Sequence, residues 1–285
     1  MSFRKKHVKN KIHKIRPKKP VFKKLWFWTT VLFLASVFIG FYFFLFFNGF
    51  QVKNIKVSGN SKIGTQELQA IAQNFLKIKL VKLWNFELAT KSIFLINTNK
   101  INNEILGKFP ALQEALLSKN FPQTLSLDVV ERKPLGIFCS QNDQCFLIDQ
   151  NGVAFENIII YALNANYTIV RQAGNDKKIT AGEEVVEKNI ANIIYKIQKN
   201  LKENLNIDLK EAIIAAPIRL NTETRENWKI YFDLDKNADI NFQLTKLKLL
   251  FDGEISPQTR KNLRYINLIP KDRAIICDNA TCAGQ

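Results

Sequence analysis

LWFWTTVLFLASVFIGFYFFLFF, residues 25–47, contains no charged side chain, and only Thr29, Thr30 and Ser36 interrupt its apolar surface. As a helix rising 1.5 Å per residue it would extend roughly 35 Å against a hydrocarbon core of about 30 Å, enough to span a bilayer with modest tilt. The alternative is a buried core helix, but a soluble helix of this length carries a polar stripe. Trp26, Trp28 and Tyr42 stand toward the two ends, where amphipathic rings prefer the headgroup zone. A cleaved signal peptide would have an apolar region of about 7 to 15 residues ending at small side chains. Here the apolar run continues into Phe46, Phe47, Asn48, Gly49 and Phe50, which reads as an uncleaved signal anchor.

Charge sets the expected direction of the span. Of the 42 basic residues, eleven lie in Met1–Lys24 with no acidic residue among them, whereas only Lys53 and Lys56 follow soon after the apolar run. The positive-inside bias therefore places the N-terminus in the cytoplasm and exports everything after about residue 48, as a single-pass type II protein. The tail itself reads as an orientation determinant resting on anionic lipid, with a docking peptide as the alternative. Removing it leaves 31 basic against 25 acidic residues, so the formal +17 of the whole chain gives the exported part no nucleic-acid role.

Both histidines, His7 and His13, precede the span. The exported part must then do without imidazole, which excludes Ser-His-Asp and Cys-His nucleophile systems and any histidine-ligated zinc there. Cys139, Cys145, Cys277 and Cys282 all lie on the exported side, an even number in a compartment that permits disulfides. Cys139 and Cys145 flank a polar Gln-Asn-Asp turn between two strand-like runs, so a bridge pinning that hairpin is the preferred pairing. Cys277 and Cys282 could close a second loop, and the connectivity stays open. A four-thiolate zinc site is disfavoured by the five residues between Cys139 and Cys145. No metal or other cofactor is expected.

The exported chain opens with a strand over Phe50–Val57, where Phe50, Val52, Ile55 and Val57 alternate with polar residues. A helix follows, with Thr65 as N-cap and Leu68, Ile71, Ala72 and Phe75 on one face. A second is predicted over Thr98–Leu106, stopped by Gly107. Strands are predicted over Ala111–Lys119 and Thr124–Glu131. Beyond Lys133 the pattern is mostly antiparallel strand. It is broken by a helix opened by a Thr180–Glu183 capping box, with Val186, Ile190, Ile193, Ile197 and Leu201 on its apolar face. Strands over Ile213–Leu220 and Asn227–Leu234, a helix over Phe242–Phe251 and a closing strand over Arg264–Asp278 complete the reading.

The order strand, helix, helix, strand, strand resembles the POTRA domain of the bacterial cell-division family FtsQ/DivIB. The resemblance is carried by Phe50-Gln-Val-Lys-Asn-Ile-Lys-Val-Ser-Gly-Asn60, by Phe109-Pro110, by Asn120-Phe121-Pro122 with Thr124-Leu125, and by Val130-Glu131-Arg132-Lys133-Pro134. It continues through Phe146-Leu-Ile-Asp149, Gly152-Val-Ala-Phe155 and Tyr265-Ile-Asn-Leu268. In the Phe146–Phe155 stretch Asp149 opens a turn and Gly152 supplies a positive φ; it is no EF-hand, because Ile160 stands where a Glu is needed. The chain departs from the family at Asn267, at Ile269-Pro270 and in a longer stretch over 76–92.

The resemblance implies an α+β fold with a single transmembrane helix, then a POTRA domain (βααββ), then a mostly antiparallel β domain with flanking helices. The expected boundaries are 1–24 cytoplasmic tail, 25–47 transmembrane helix, 48–132 POTRA domain, 133–278 β domain and 279–285 C-terminal tail. It further implies a non-enzymatic scaffold of the division machinery in the inner membrane at the division septum. Such a scaffold joins FtsB- and FtsL-type membrane proteins in the periplasm and has no small-molecule substrate. In the family the distal end of the second domain receives a partner segment by strand addition. Unpaired N–H and C=O groups at a sheet edge suit that role. The edge is expected from Tyr265–Leu268 and Ala274–Ile276, with Pro270 in the bend between them and Tyr265 and Arg273 as side-chain contacts. The expected partner-binding residues are therefore Tyr265, Ile266, Leu268, Arg273, Ala274 and Ile276, with simple capping of the core as the alternative.

Two other functions would need different signatures. A membrane-anchored envelope enzyme would have to use paired acids such as Asp233 and Asp235 or Glu183 and Glu184, residue types that ordinarily form turns and helix caps. A POTRA-type secretion or assembly accessory would be expected to show repeats or a barrel, and neither pattern is visible.

Overall fold

Leu25–Phe46 forms one helix, α1, in which Leu45 is the sole buried residue. It is long and apolar enough to cross a membrane and is not packed inside the protein as a core helix. The computed structural model describes residues 22, 24–83, 86–140, 144–159, 167–174, 178–216, 218–279 and 282. The basic tail, both histidines, the Gln-Asn-Asp turn at 141–143, Ile160 and most of the expected C-terminal tail lie outside the described residues.

After α1 and a 3-10 turn at Asn48–Phe50 come β1 (Asn54–Ser58), α2 (Thr65–Asn74), β2 (Ile78–Leu83), β3 (Phe86–Thr90), α3 (Thr98–Lys108), β4 (Leu112–Asn120) and β5 (Thr124–Glu131). Next are β6 (Gly136–Cys139), β7 (Cys145–Ile148), β8 (Ala154–Ile158), β9 (Ile169–Gln172), α4 (Lys188–Leu205), β10 (Leu209–Ala216) and β11 (Arg219–Thr224). The chain ends with β12 (Lys229–Asp233), α5 (Ile240–Gly253), α6 (Pro257–Lys261), β13 (Leu263–Asn267) and β14 (Ile275–Asp278). The fold is α+β, as expected: one long N-terminal apolar helix, a POTRA-like helix and strand assembly, and a mostly antiparallel sheet. These elements sort into two units.

The first unit holds α1 with Phe75–Ile96 and Lys119–Thr124. The last carbonyls of a helix have no partner within it. Here side chains from elsewhere supply donors: Ser92 Oγ reaches Phe44 O at 3.0 Å, Gln51 Nε2 reaches Leu45 O at 2.7 Å, and Thr90 Oγ1 also donates to Leu45 O. The stretch 76–92, longer than the family pattern, contains the antiparallel hairpin β2–β3, with Ile78 opposite Thr90. That hairpin lies between the two helices, in a stretch that the sequence reading left without structure.

In the second unit, a three-stranded sheet of order β1-β5-β4 accompanies the packed pair α2 and α3. Leu68, Ile71 and Ala72 of α2, Ile101 and Ile105 of α3, and Leu112, Leu125 and Leu127 of the sheet are all buried. Thr65 is the first helical residue of α2 rather than its cap: Gly64 O accepts from Glu67 N, and the Thr65 hydroxyl is taken up by Asn60 Nδ2. α3 is capped by Asn97, whose side chain accepts from Lys100 N. It continues through Gly107, because Phe109 N still bonds Ile105 O and the chain turns away only at Pro110.

The nine-stranded sheet has the order β14-β13-β12-β11-β10-β9-β6-β7-β8. Its pairings are antiparallel except β13 with β12, β10 with β9 and β9 with β6, which are parallel. α4 and α5 contribute to the core of one face, which includes Trp228, Phe232, Ile194, Leu247 and Ile266. A smaller cluster of Ile137, Cys139, Cys145, Leu147 and Phe155 occupies the other face. Cys139 and Cys145 are register partners across β6 and β7 and are disulfide-bonded; Cys277 is bonded to Cys282.

Three expected elements are displaced. The run Ile213–Leu220 is not one strand but crosses from β10 into β11. The buried positions of β11 include Thr222 and Thr224, whose hydroxyls donate to Ile230 O and Trp228 O, so its apolar alternation is hidden. Thr180 and Glu183 do not open α4. Glu183 Oε2 accepts from Thr180 N, but the chain then runs alongside β8, and Glu184 Oε1 accepts from Lys188 N at the true helix start. The segment Arg264–Asp278 is two strands separated by the bend that holds Pro270.

Candidate functional site

A sheet of nine strands has two outermost strands, and they differ here. The outer side of β8 is covered at its start, where Gly182 N bonds Ala154 O and Ala154 N bonds Glu183 O. β14 has β13 on one side and no strand on the other among the described residues. Its register sets Ile266 opposite Ile276 and Asn267 opposite Ile275.

The stretch expected to form the edge divides between two strands. Tyr265 and Ile266 belong to β13, which is bonded to β12 on one side and to β14 on the other, and Leu268 N donates to Tyr231 O. The backbone of Tyr265–Leu268 is therefore occupied by its own sheet. Among the described residues, Ile275 to Cys277 is the stretch with no strand on its outer side. Ile266 and Leu268 are buried, Ile276 and Ala274 pack partly against the core, and Arg273 is exposed in the bend.

The face away from the helices carries an aromatic platform beside this edge. Tyr231 and Tyr265 rings lie 5.5 Å apart, and Arg219 sits 4.8 Å from the Tyr231 centroid. Asn267 and the exposed Ile275 share that face by register. An extended segment laid along β14 would meet Ile275 and Tyr265 with alternate side chains.

The bend behind the edge is held from α5. Asp239 caps that helix through Asn241 N, and α5 starts two residues earlier and ends two residues later than the sequence pattern suggested. Gln243 uses both ends of its amide on Asp233, accepting from its N–H and donating to its C=O, each at 2.9 Å. One turn on, Lys246 Nζ donates to Leu268 O, Pro270 O and Arg273 O at 3.2, 2.6 and 3.3 Å. Three donors meet three carbonyls of a bend that has no ladder of its own. Burial pushes the Lys246 ammonium below its usual value, and the Asp272 charge partly opposes this. A cavity of about 180 Å³ beside the bend is lined by Phe242, Lys246, Leu268 and Ile269 among others. It is smaller than the roughly 300 Å³ at which ligand pockets begin, and suits a single side chain.

The paired acids are turn and cap residues. Asp233 Oδ1 accepts from Asp235 N, and Asp235 Oδ1 from Asn237 N. Among the described residues no group of three or more His, Cys, Asp or Glu is placed to hold a metal ion.

No protein-family model matches the chain. The chain is similar to the cell division protein FtsQ of Rickettsia typhi. The two are 24% identical over 204 residues, which cover 67% of this chain and 70% of that protein.

Sequence reading missed Tyr231, Arg219, Gln243 and Lys246.

Proposed function

We propose that this chain is a non-enzymatic, single-pass scaffold of the bacterial division machinery in the inner membrane at the septum. Residues 1–24 form its cytoplasmic tail, and its POTRA domain (48–132) and β domain (133–278) stand in the periplasm. There it gathers other division membrane proteins of the FtsB and FtsL type. A partner segment adds to β14, with alternate residues of Ile275 to Cys277 supplying outward backbone hydrogen bonds and Tyr265, Tyr231 and Arg273 supplying side-chain contacts. The observation that carries the binding mode is the outer side of Ile275 to Cys277, along which no strand pairs among the described residues. The division context rests on the motifs from Phe50 to Leu268 and on the similarity to a protein named for cell division.

Neighbouring N–H groups along a strand point to opposite sides. Of Ile275→Pro and Ile276→Pro, one therefore removes an outward donor while the other breaks the ladder to β13. With the detergent-solubilised full chain as bait for FtsB- and FtsL-type ectodomains, the outward variant should keep its circular dichroism and lose binding. Full binding by both folded variants rules out strand addition at β14. A fluorescent fusion tests the context: labelling that stays uniform through constriction rules out a septal scaffold.

A further inference from the structure

The end of α1 is built into a cluster of aromatic rings drawn from three separate parts of the first unit. Phe44 stacks on Phe50 with centroids 5.9 Å apart and meets Phe94 at 5.3 Å; Phe94 meets Phe50 at 5.2 Å and Phe121 at 5.3 Å. These rings are not hidden: Phe121 is 58% exposed, Phe44 52% and Phe94 40%. The tip of the turn Ser92–Leu95 carries Phe94 and Leu95 outward while Ile93 is fully buried. Turn tips in water are ordinarily Gly, Asn, Asp or Ser, so two large apolar groups at this one call for a different surround.

That surround follows from depth. At 1.5 Å per residue α1 is about 33 Å long against a hydrocarbon core of about 30 Å, so its last turn, with Phe44, ends at the boundary with the headgroups. The headgroup zone beyond is only about 5 to 8 Å thick on each side. Phe94 cannot drift from this depth, because Ser92 Oγ is bonded to Phe44 O and Ile93 N to Phe50 O. Lys119 fixes the second arm: its Nζ donates to Phe94 O at 3.1 Å, and burial holds its ammonium below the usual value.

We infer that Phe94, Leu95 and Phe121, continuous with Phe44 and Phe50, form a ledge that inserts into the lipid interface at the C-terminal end of α1, as a second membrane contact besides the span. The occupant is the bilayer itself, since the ledge adjoins a helix end that already lies at that depth. Phe and Leu are among the side chains that surface-lying membrane segments bury at the boundary between headgroups and acyl chains.

The test is spin-label accessibility in the full chain reconstituted into phosphatidylcholine liposomes. All four native cysteines are in disulfides, so Phe94→Cys, Leu95→Cys and Phe121→Cys can each be labelled singly, with Leu34→Cys as the hydrocarbon reference. The expected result is an oxygen-to-nickel-complex collision ratio for the ledge positions between that of Leu34→Cys and that of free label in water. Ratios equal to free label overturn the inference. So does a label shielded from both reagents, which would mean a protein partner covers the ledge. A water-like reading at Leu34→Cys overturns it through its premise.

Discussion

Arg132 donates to the buried carboxylate of Asp149, and the pair ties the end of β5 to the turn between β7 and β8. Arg132 Nε also donates to Pro110 O at 3.0 Å, while Asp149 Oδ1 accepts from Asn151 N and Val153 N. The two parts of the second unit thus share one charged joint, made by a residue of the Glu-Arg-Lys-Pro run and a residue of the Asp149–Gly152 turn. Asp149 is only 3% exposed.

Removing the arginine alone would strand that carboxylate. Arg132→Met should cost about 3–5 kcal/mol, the range for a broken buried pair. Arg132→Met combined with Asp149→Asn should recover much of this, because asparagine keeps an acceptor for the two turn amides without a charge. Thermal unfolding of the full chain in detergent reads both, and a single variant no less stable than the double one would show that the joint is not electrostatic.

One residue earlier, Glu131 works in the opposite direction along the strand. Its carboxylate accepts from Ser61 N, Lys62 N and Ile63 N at 2.7 to 3.1 Å. Burial acts to raise its pKa, but those three hydrogen bonds and the Lys62 charge outweigh it, so the folded value lies below the usual 4.5. Its contribution to stability is therefore present above about pH 4.5 and lost as the pH falls through the lower folded value. Glu131→Gln should be less stable at pH 7 and show a flatter loss of stability on acidification. Part of the acid slope should persist through Glu226, whose carboxyl is held down by its hydrogen bond from Arg260, against burial, with help from Trp228.

Two glycines should respond in opposite ways. Gly152 has φ +76°, and a Cβ there would lie 1.9 Å from Val186 O, so Gly152→Ala must displace the backbone covering the start of β8. Gly107 sits inside α3 with nothing within 4 Å of its Cβ position, so Gly107→Ala should stabilise by up to about 1 kcal/mol. Melting temperatures moving the same way for both would contradict the backbone argument.

The legibility of the chain follows the same division between pattern and context. An unbroken apolar run located α1, and periodicity located both helices of the POTRA-like part and β5 closely, because each of these three buries a regular apolar face. It failed at β11, where hydroxyls replace apolar side chains, and at β13, since nothing in Tyr265-Ile-Asn-Leu268 says that a parallel partner lies at Lys229–Tyr231. Strand pairing is non-local, so an edge cannot be read from the strand itself. The clamp on the bend was invisible for a similar reason: its acceptors are backbone carbonyls, which have no sequence signature.

That clamp supports the last prediction. Lys246 spends its three donors on Leu268 O, Pro270 O and Arg273 O, and the loop it grips leads directly into β14. Lys246→Met preserves most of the stem but removes the ammonium, which lies 5.4 Å from the Phe242 centroid, and leaves three carbonyls without their donor, at a cost toward the low end of about 1–3 kcal/mol because the bend is partly open to water. The loss should be local. Those amides of Ile275 to Cys277 that bond β13 should exchange faster in deuterium while those of β10 and β11 keep their rates, because the latter lie in the middle of the sheet. A frayed β14 is a poorer template, so binding of the partner segment should weaken with no contact to that segment removed. Unchanged exchange at Ile275 to Cys277 would show that the disulfide from Cys277 to Cys282 and the pairing with β13 hold the edge without the lysine.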